Sequence, residues 1–186
     1  MAKVIITGTP GCGKSTIISK LQNEYKIFNI GTEMMKYIKD KSINRDELRS
    51  KLEYSEVLKS REKVFNELAS IKTNTIIDTH TSVKVGKRYI PGFSKVDLSM
   101  LKDVRSIIYL DALAVDILLR RVGDKTRKRE DETAEEIEEH RTVNLGLASY
   151  YAVNLGVPLY IIRNRQDRLE EARTDVKNAL EESFRK

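Results

Sequence analysis

Gly8-Thr-Pro-Gly-Cys-Gly13-Lys14-Ser15 follows the spacing G-x-x-x-x-G-K-[ST] in full, and it stands between an apolar run and a helical pattern. Glycines at these places let the backbone wrap closely. Successive amides, with a helix N-terminus behind them, then point at a phosphate chain. Lys14 is expected to reach the β- and γ-phosphates, and the Ser15 hydroxyl to ligate Mg²⁺. Gly8, Thr9, Pro10, Gly11, Cys12, Gly13, Lys14, Ser15 and Thr16 thus form the expected ATP-binding segment.

Two further groups bear on the same chemistry. Ile76-Ile77-Asp78 ends an apolar run in a carboxylate, the form of a Walker B element, so Asp78 is expected to hold magnesium through a water. His80 follows it and serves either a hydrogen bond in the site or a structural one. Arg120-Arg121-Val-Gly-Asp-Lys125-Thr-Arg127-Lys128-Arg129 concentrates positive charge between an apolar helix and a capped one. Arginine forks neutralise the equatorial oxygens of a transferring phosphoryl group, so this loop reads as a lid over phosphates. Cys12 stands at a helix N-terminus, which lowers a thiol pKa, yet a small-residue filler is the preferred reading. Met34 and Met35 read as packing residues, and Tyr150 and Tyr151 as core or subunit-contact residues.

The acceptor separates the possible reactions. A sugar-like hydroxyl needs a carboxylate base near its proton, whereas a nucleoside monophosphate offers an oxygen already ionised and needs only positioning. Arginines are abundant here and spare carboxylates are few, although Asp78 would serve as a base in a kinase with a hydroxyl acceptor. An ATP-dependent nucleic-acid binder is the other alternative. It is disfavoured because aromatic residues make up 6% of the chain and Trp is absent, so stacking platforms are few.

These groups need a scaffold, and the apolar pattern supplies one. Runs rich in β-branched residues recur at Lys3–Ile6, Thr75–Ile77, Ser106–Leu110 and Leu159–Ile162, with a weaker one at Lys26–Ile30. They lack polar alternation, as parallel strands covered on both faces do, and the stretches between them are long enough for helices. The fold class is therefore α/β. Thr133-Ala-Glu-Glu136 is a capping box and Gly156 with Pro158 a stop, which predicts a helix from about Ala134 to Leu155. Asp167-Arg-Leu-Glu170 opens a C-terminal helix in the same way, with Leu169, Ala172, Val176 and Leu180 on one face. Shorter helices are expected over Lys14–Asn23, Glu33–Ile38, Asp46–Leu52, Ser55–Ser70, Val96–Leu101 and Val115–Val122, and Val83–Pro91 reads as a hairpin or loop.

Length and charge set the outer limits. At ~100–200 residues per domain, 186 residues argue for one domain, 1–186. Charged residues are 33% of the chain, and no run reaches the ~18 apolar residues of a spanning helix. With no signal-peptide pattern before Val4, a cytoplasmic location without membrane association is expected. One cysteine and two histidines make no metal cluster of their own. Lys and Arg exceed Asp and Glu by 34 − 28 = 6, and the pI of about 9.3 favours an anionic partner.

Taken together the chain resembles the archaeal-type adenylate kinases from one end to the other. The likeness rests on Val4–Thr16, Asn29-Ile-Gly-Thr32, Arg45–Arg49, Ile77-Asp-Thr-His80, Arg120–Arg127 with Arg129, Ile137–His140, Asn144 and Ile162-Arg-Asn-Arg165. The resemblance implies a parallel five-stranded sheet with an acceptor-binding insert at about 31–70 and a lid loop at about 120–132. It implies reversible Mg-dependent transfer, ATP + AMP giving two ADP, with tolerance of other nucleobases left open. Gly31, Thr32 and Arg49 would belong to the acceptor AMP, Asp78 to the metal, and Arg120, Arg127 and Arg129 would act with Lys14 on the transferring group. The hairpin around Lys84–Gly92 would lie near the acceptor base. A homotrimer is implied likewise. Two departures stand out: Leu145 replaces an arginine of the family, leaving a phosphate contact missing or supplied by Arg141, and Gly92-Phe93-Ser94 replaces Gly-Leu-Pro.

Overall fold

The computed structural model describes residues 1–38, 40, 42–43, 54–123 and 132–185. The five apolar runs become β1 (Lys3–Gly8), β2 (Lys26–Asn29), β3 (Thr75–Asp78), β6 (Val104–Asp111) and β7 (Leu159–Arg163), while β4 (Ser82–Val85) and β5 (Arg88–Pro91) form a separate antiparallel hairpin. The five pair in parallel in the order β2-β3-β1-β6-β7. β1 lies in the middle, and strand progression reverses beside it, so its carboxyl end opens the crevice where ligands bind in open α/β sheets.

Parallel strands show apolar residues to both sides because helices cover both. Ile5, Ile77 and Ile107 face one layer, with Phe28, Val64, Phe65, Leu68 and Tyr151. Val4, Ile6, Ile76 and Ile108 face the other, with Ile17, Ile117, Ile137, Val176 and Leu180. The two-residue period of a strand thus divides one apolar run between two cores.

The helices are α1 (Lys14–Leu21), α2 (Ile30–Met35), α3 (Tyr54–Ser70), α4 (Lys95–Met100), α5 (Ala114–Gly123), α6 (Ala134–Leu155) and α7 (Leu169–Arg185). The capping box at Thr133 and Glu136 forms at both bonds, and Gly156 ends α6 in the left-handed region at φ 67°. Two expectations need correction. The helix expected from Glu33 begins at Ile30, because Asn29 caps it by accepting from the Thr32 amide at 2.9 Å. Asp167 does not cap α7: it sits at φ 59°, and the helix begins at Leu169. The helix expected over Asp46–Leu52 lies outside the described residues. No described helix is long and apolar enough to cross a membrane.

Candidate active site

The phosphate loop leaves β1 at Gly8 and enters α1 at Lys14. Its turns require left-handed backbone at Gly11 (φ 98°) and Gly13 (φ 93°), which glycine adopts without steric penalty. Close approach matters as much as dihedral angle. A Cβ on Gly8 would meet the Leu110 carbonyl oxygen at 2.5 Å, and one on Gly13 the Asn164 amide nitrogen at 2.3 Å. Asn164 is buried and donates to the Cys12 carbonyl at 2.8 Å, so β7's exit loop braces the loop from one side. Arg120 adds contacts to the Cys12 carbonyl at 3.2 Å and the Asn164 carbonyl at 3.0 Å. Arg121 donates twice to the Pro10 carbonyl, at 3.2 and 2.7 Å.

Cys12 is 1% exposed, and burial pushes its thiol pKa up, against the pull of Lys14. It packs as the small filler rather than as a reactive thiol.

Strand register brings the metal candidates together. Asp78 pairs with Ile6 of β1 and with Asn29 of β2, which lines the carboxyl ends of three neighbouring strands. Lys14 and Asp78 form a buried ion pair, and the Asn29 amide donates to the other carboxylate oxygen. Asn29 thereby joins the carboxylate to the start of α2, where Gly31 and Thr32 lie. It is a site residue whose role its motif alone does not disclose. Ser15 is exposed in the first turn of α1. No group of three His, Cys, Asp or Glu placed to hold a metal ion occurs among the described residues. A hydroxyl and a carboxylate beside a phosphate cradle suit Mg²⁺, which keeps several waters and takes the rest of its ligands from phosphate.

The hairpin β4–β5 packs against α6. Gly92 closes its base so tightly that a Cβ would lie 2.0 Å from the His80 carbonyl oxygen. Arg61, 5% exposed, reaches from α3 to the Gly92 carbonyl and to the Asp97 carboxylate. Phe93, at the departure from the family pattern, packs edge-on against Phe65 and Tyr151. On the other flank Lys84 meets Glu132 at 3.1 Å and Glu136 at 3.5 Å, and Glu132 also holds Arg121. Burial opposes the ionisation of Glu132, but bonds from Arg121 and Lys84 outweigh it and keep its carboxyl below the usual range. Met34 is buried and Tyr151 lies in the core, whereas Tyr150 is half exposed.

Arg141 does not face the phosphate crevice freely. It donates to both oxygens of Asp111, at 2.6 and 3.1 Å, and to Glu138. Arg49, Arg127 and Arg129 lie outside the described residues.

The family model described as an AAA domain matches residues 7–138. The chain is 37% identical over 182 residues to the adenylate kinase of Methanocaldococcus jannaschii, covering 91% of this chain and 93% of that protein. It is 35% identical over 179 residues to the adenylate kinase of Methanococcus aeolicus, covering 90% and 92%. Among solved structures, a shikimate kinase from Acinetobacter baumannii in complex with shikimate matches with a TM-score of 0.65 at 14% identity, covering 98% of this chain and 94% of that one. At that identity the structural likeness speaks for the fold alone. With a phosphate loop set in a five-stranded parallel sheet and end-to-end similarity to archaeal enzymes of one name, the chain belongs to the adenylate kinase family, within the AAA-domain group.

Proposed function

We propose that the protein transfers the γ-phosphoryl group of Mg·ATP to AMP, reversibly, with the phosphate loop as the donor site and the crevice toward α2 and the hairpin as the acceptor site. Gly8 to Thr16 would bind the donor phosphates through backbone amides. Ser15 and Asp78 would hold Mg²⁺, which when bound neutralises charge on the β- and γ-oxygens. Lys14 turns from Asp78 to the phosphates as nucleotide enters, while Asn29 keeps its bond to the carboxylate. Gly31, Thr32 and Arg49 orient the AMP phosphate, and Arg120, Arg127 and Arg129 surround the transferring group. The segment at about 31–70 acts as the acceptor insert and that at about 120–132 as the lid, which excludes water when closed.

The observation that carries this reading is the engagement of Asp78 by Lys14 and Asn29 together. Once Lys14 has turned to the phosphates, Asp78 is taken up by the Asn29 amide and by Mg²⁺, an arrangement that suits an acceptor oxygen already ionised, which needs no base, better than a hydroxyl. Family membership supports ATP and AMP as the substrates, and a cytoplasmic site of action and assembly as a homotrimer are part of the same proposal. The test is a product assay with ATP against AMP, GMP, CMP and UMP and against hydroxyl acceptors, run beside light scattering. ADP formation from AMP at the highest kcat/KM is expected. Faster transfer to a hydroxyl acceptor such as shikimate would overturn the assignment.

A further inference from the structure

Asn144 sits at the middle of α6, wholly buried, with its amide spanning the two halves of the site. Its nitrogen donates to the Thr9 hydroxyl of the phosphate loop at 3.2 Å. Its oxygen accepts from Thr81 at 2.8 Å and from Ser82 at 2.6 Å, at the foot of the hairpin. Thr9, Thr81 and Ser82 are each 1% exposed or less. Two neighbours complete the set: the Tyr109 hydroxyl lies 3.0 Å from that of Thr9, and the His140 ring nitrogen 3.2 Å from that of Ser82. Hydroxyl partners 135 and 62 or 63 positions away in sequence thus meet on one side chain.

We propose that Asn144 is a positioning residue for phosphoryl transfer, a rigid spacer that sets the distance between the phosphate loop and the hairpin wall of the acceptor site. The proposal rests on the reaction assigned above. The amide has a donor end and an acceptor end, the first used on the phosphate loop and the second at the foot of the hairpin. Buried polar networks with every member paired have one low-energy arrangement. An error of an ångström between reacting groups is worth orders of magnitude in rate. The phosphate loop itself does not depend on Asn144, because Thr9 keeps Tyr109 and its carbonyl keeps the Cys12 amide at 2.9 Å.

Loss of the spacer therefore damages transfer between two nucleotides more than it damages chemistry confined to the donor site. In the full chain with Mg·ATP, Asn144→Leu, close in shape, is expected to lower kcat for AMP phosphorylation about 30-fold, in line with a sub-ångström misplacement. The slow hydrolysis of ATP without AMP should stay within about threefold. The second arm keeps the test intact should that variant fold poorly. Thr9→Val cuts the bridge at the loop, and Thr81→Val with Ser82→Ala cuts it at the hairpin. Among the described residues the side-chain bonds given above join the two sets through Asn144, so the combined variant should transfer no more slowly than the worse of the two. Effects that multiply would overturn the proposal, since residues acting on one bridge are non-additive. Equal loss of transfer and hydrolysis in Asn144→Leu, or no loss of transfer, would overturn it as well. A wild-type chain that hydrolysed ATP but never phosphorylated AMP would bring down the reaction assignment, and this inference with it.

Discussion

Around the phosphate loop, Thr9, Tyr109, Asn144 and Asn164 meet one another and the backbone as neutral donors and acceptors. Across the crevice the hairpin and its supports are joined by charge instead, Lys84 with Glu132, Glu132 with Arg121, and Arg61 with Asp97. Neutral buried bonds hold one geometry and are little affected by salt. The Lys84 pairs, partly open to water, are screened by salt, whereas the Arg61–Asp97 pair is buried and is screened much less. The difference also ranks the consequences of substitution for the proposed reaction, which puts donor-side groups on the reacting phosphates, whereas a change at the wall strikes groups that hold other groups.

Lys14→Ala should have the largest effect. Removing the cation proposed to reach the transferring group is expected to lower kcat by ~10³-fold or more in a coupled assay, and the melting temperature should fall as well, because the buried Asp78 is left with the Asn29 amide alone. Near-normal turnover would mean that the loop is not the donor site. Arg61→Met comes next and acts on the wall. It takes the cation from the buried Asp97, whose carboxylate is left with the Ser94 amide of the α4 capping box. Stranding one partner of a buried pair costs about 3 kcal/mol, readable as a lower unfolding midpoint. The acceptor KM should rise more than the donor KM, since the Gly92 carbonyl loses its guanidinium. A rise in both alike would place Arg61 outside the acceptor wall.

The same contrast explains what could be read in the sequence. The phosphate loop is legible because its groups are consecutive, and their spacing is the chemistry. The five strands are legible for a related reason, since a parallel strand writes its double burial as an unbroken apolar run. The hairpin wall is assembled from distant residues. Nothing in the neighbourhood of Arg61 announces Gly92 and Asp97, which lie 31 and 36 positions away. Asn144 is visible as a family position but not as a bridge, because its partners belong to two segments far from it in sequence, the phosphate loop and the foot of the hairpin. Asp167 misled because Asp-x-x-Glu is also the pattern of a loop residue followed by an acidic first turn. Only the backbone, left-handed at Asp167, distinguishes the two.

Glu132→Gln should produce a smaller effect, and one that depends on ionic strength. Glu132 is the shared carboxylate between Lys84 on the hairpin and Arg121 at the end of α5. Pairs of this kind contribute about 1 kcal/mol or less. A roughly threefold rise in acceptor KM at low salt is therefore expected, fading toward wild type as salt is raised. A change independent of salt would mean that Glu132 acts by shape and not by charge.

The smallest expected effect concerns pH and joins the two regions, because His140 lies between the neutral network and the ionic wall. It is 3% exposed, its ring nitrogen is 3.2 Å from the Ser82 hydroxyl, and its ring packs on Tyr89. Burial disfavours the charged ring and, with Arg121 and Lys84 nearby, outweighs the attraction of Glu132, so the pKa falls from 6.5 to about 4. Between those values the unfolded chain binds a proton that the folded chain refuses. Stability from this residue is then complete above pH 6.5, declines as pH falls through the window, and is lost below about pH 4. The full difference amounts to at most about 3 kcal/mol. Carboxylates titrate in the same range, so the informative quantity is the difference between two proteins. His140→Gln keeps a polar partner for Ser82 but cannot titrate, and its melting temperature should fall less than that of wild type between pH 7 and pH 4.5, by about 5 °C or more. Parallel curves would show that His140 takes up its proton while folded, and the wall beside the neutral network would then carry one more positive charge than the burial of the ring allows.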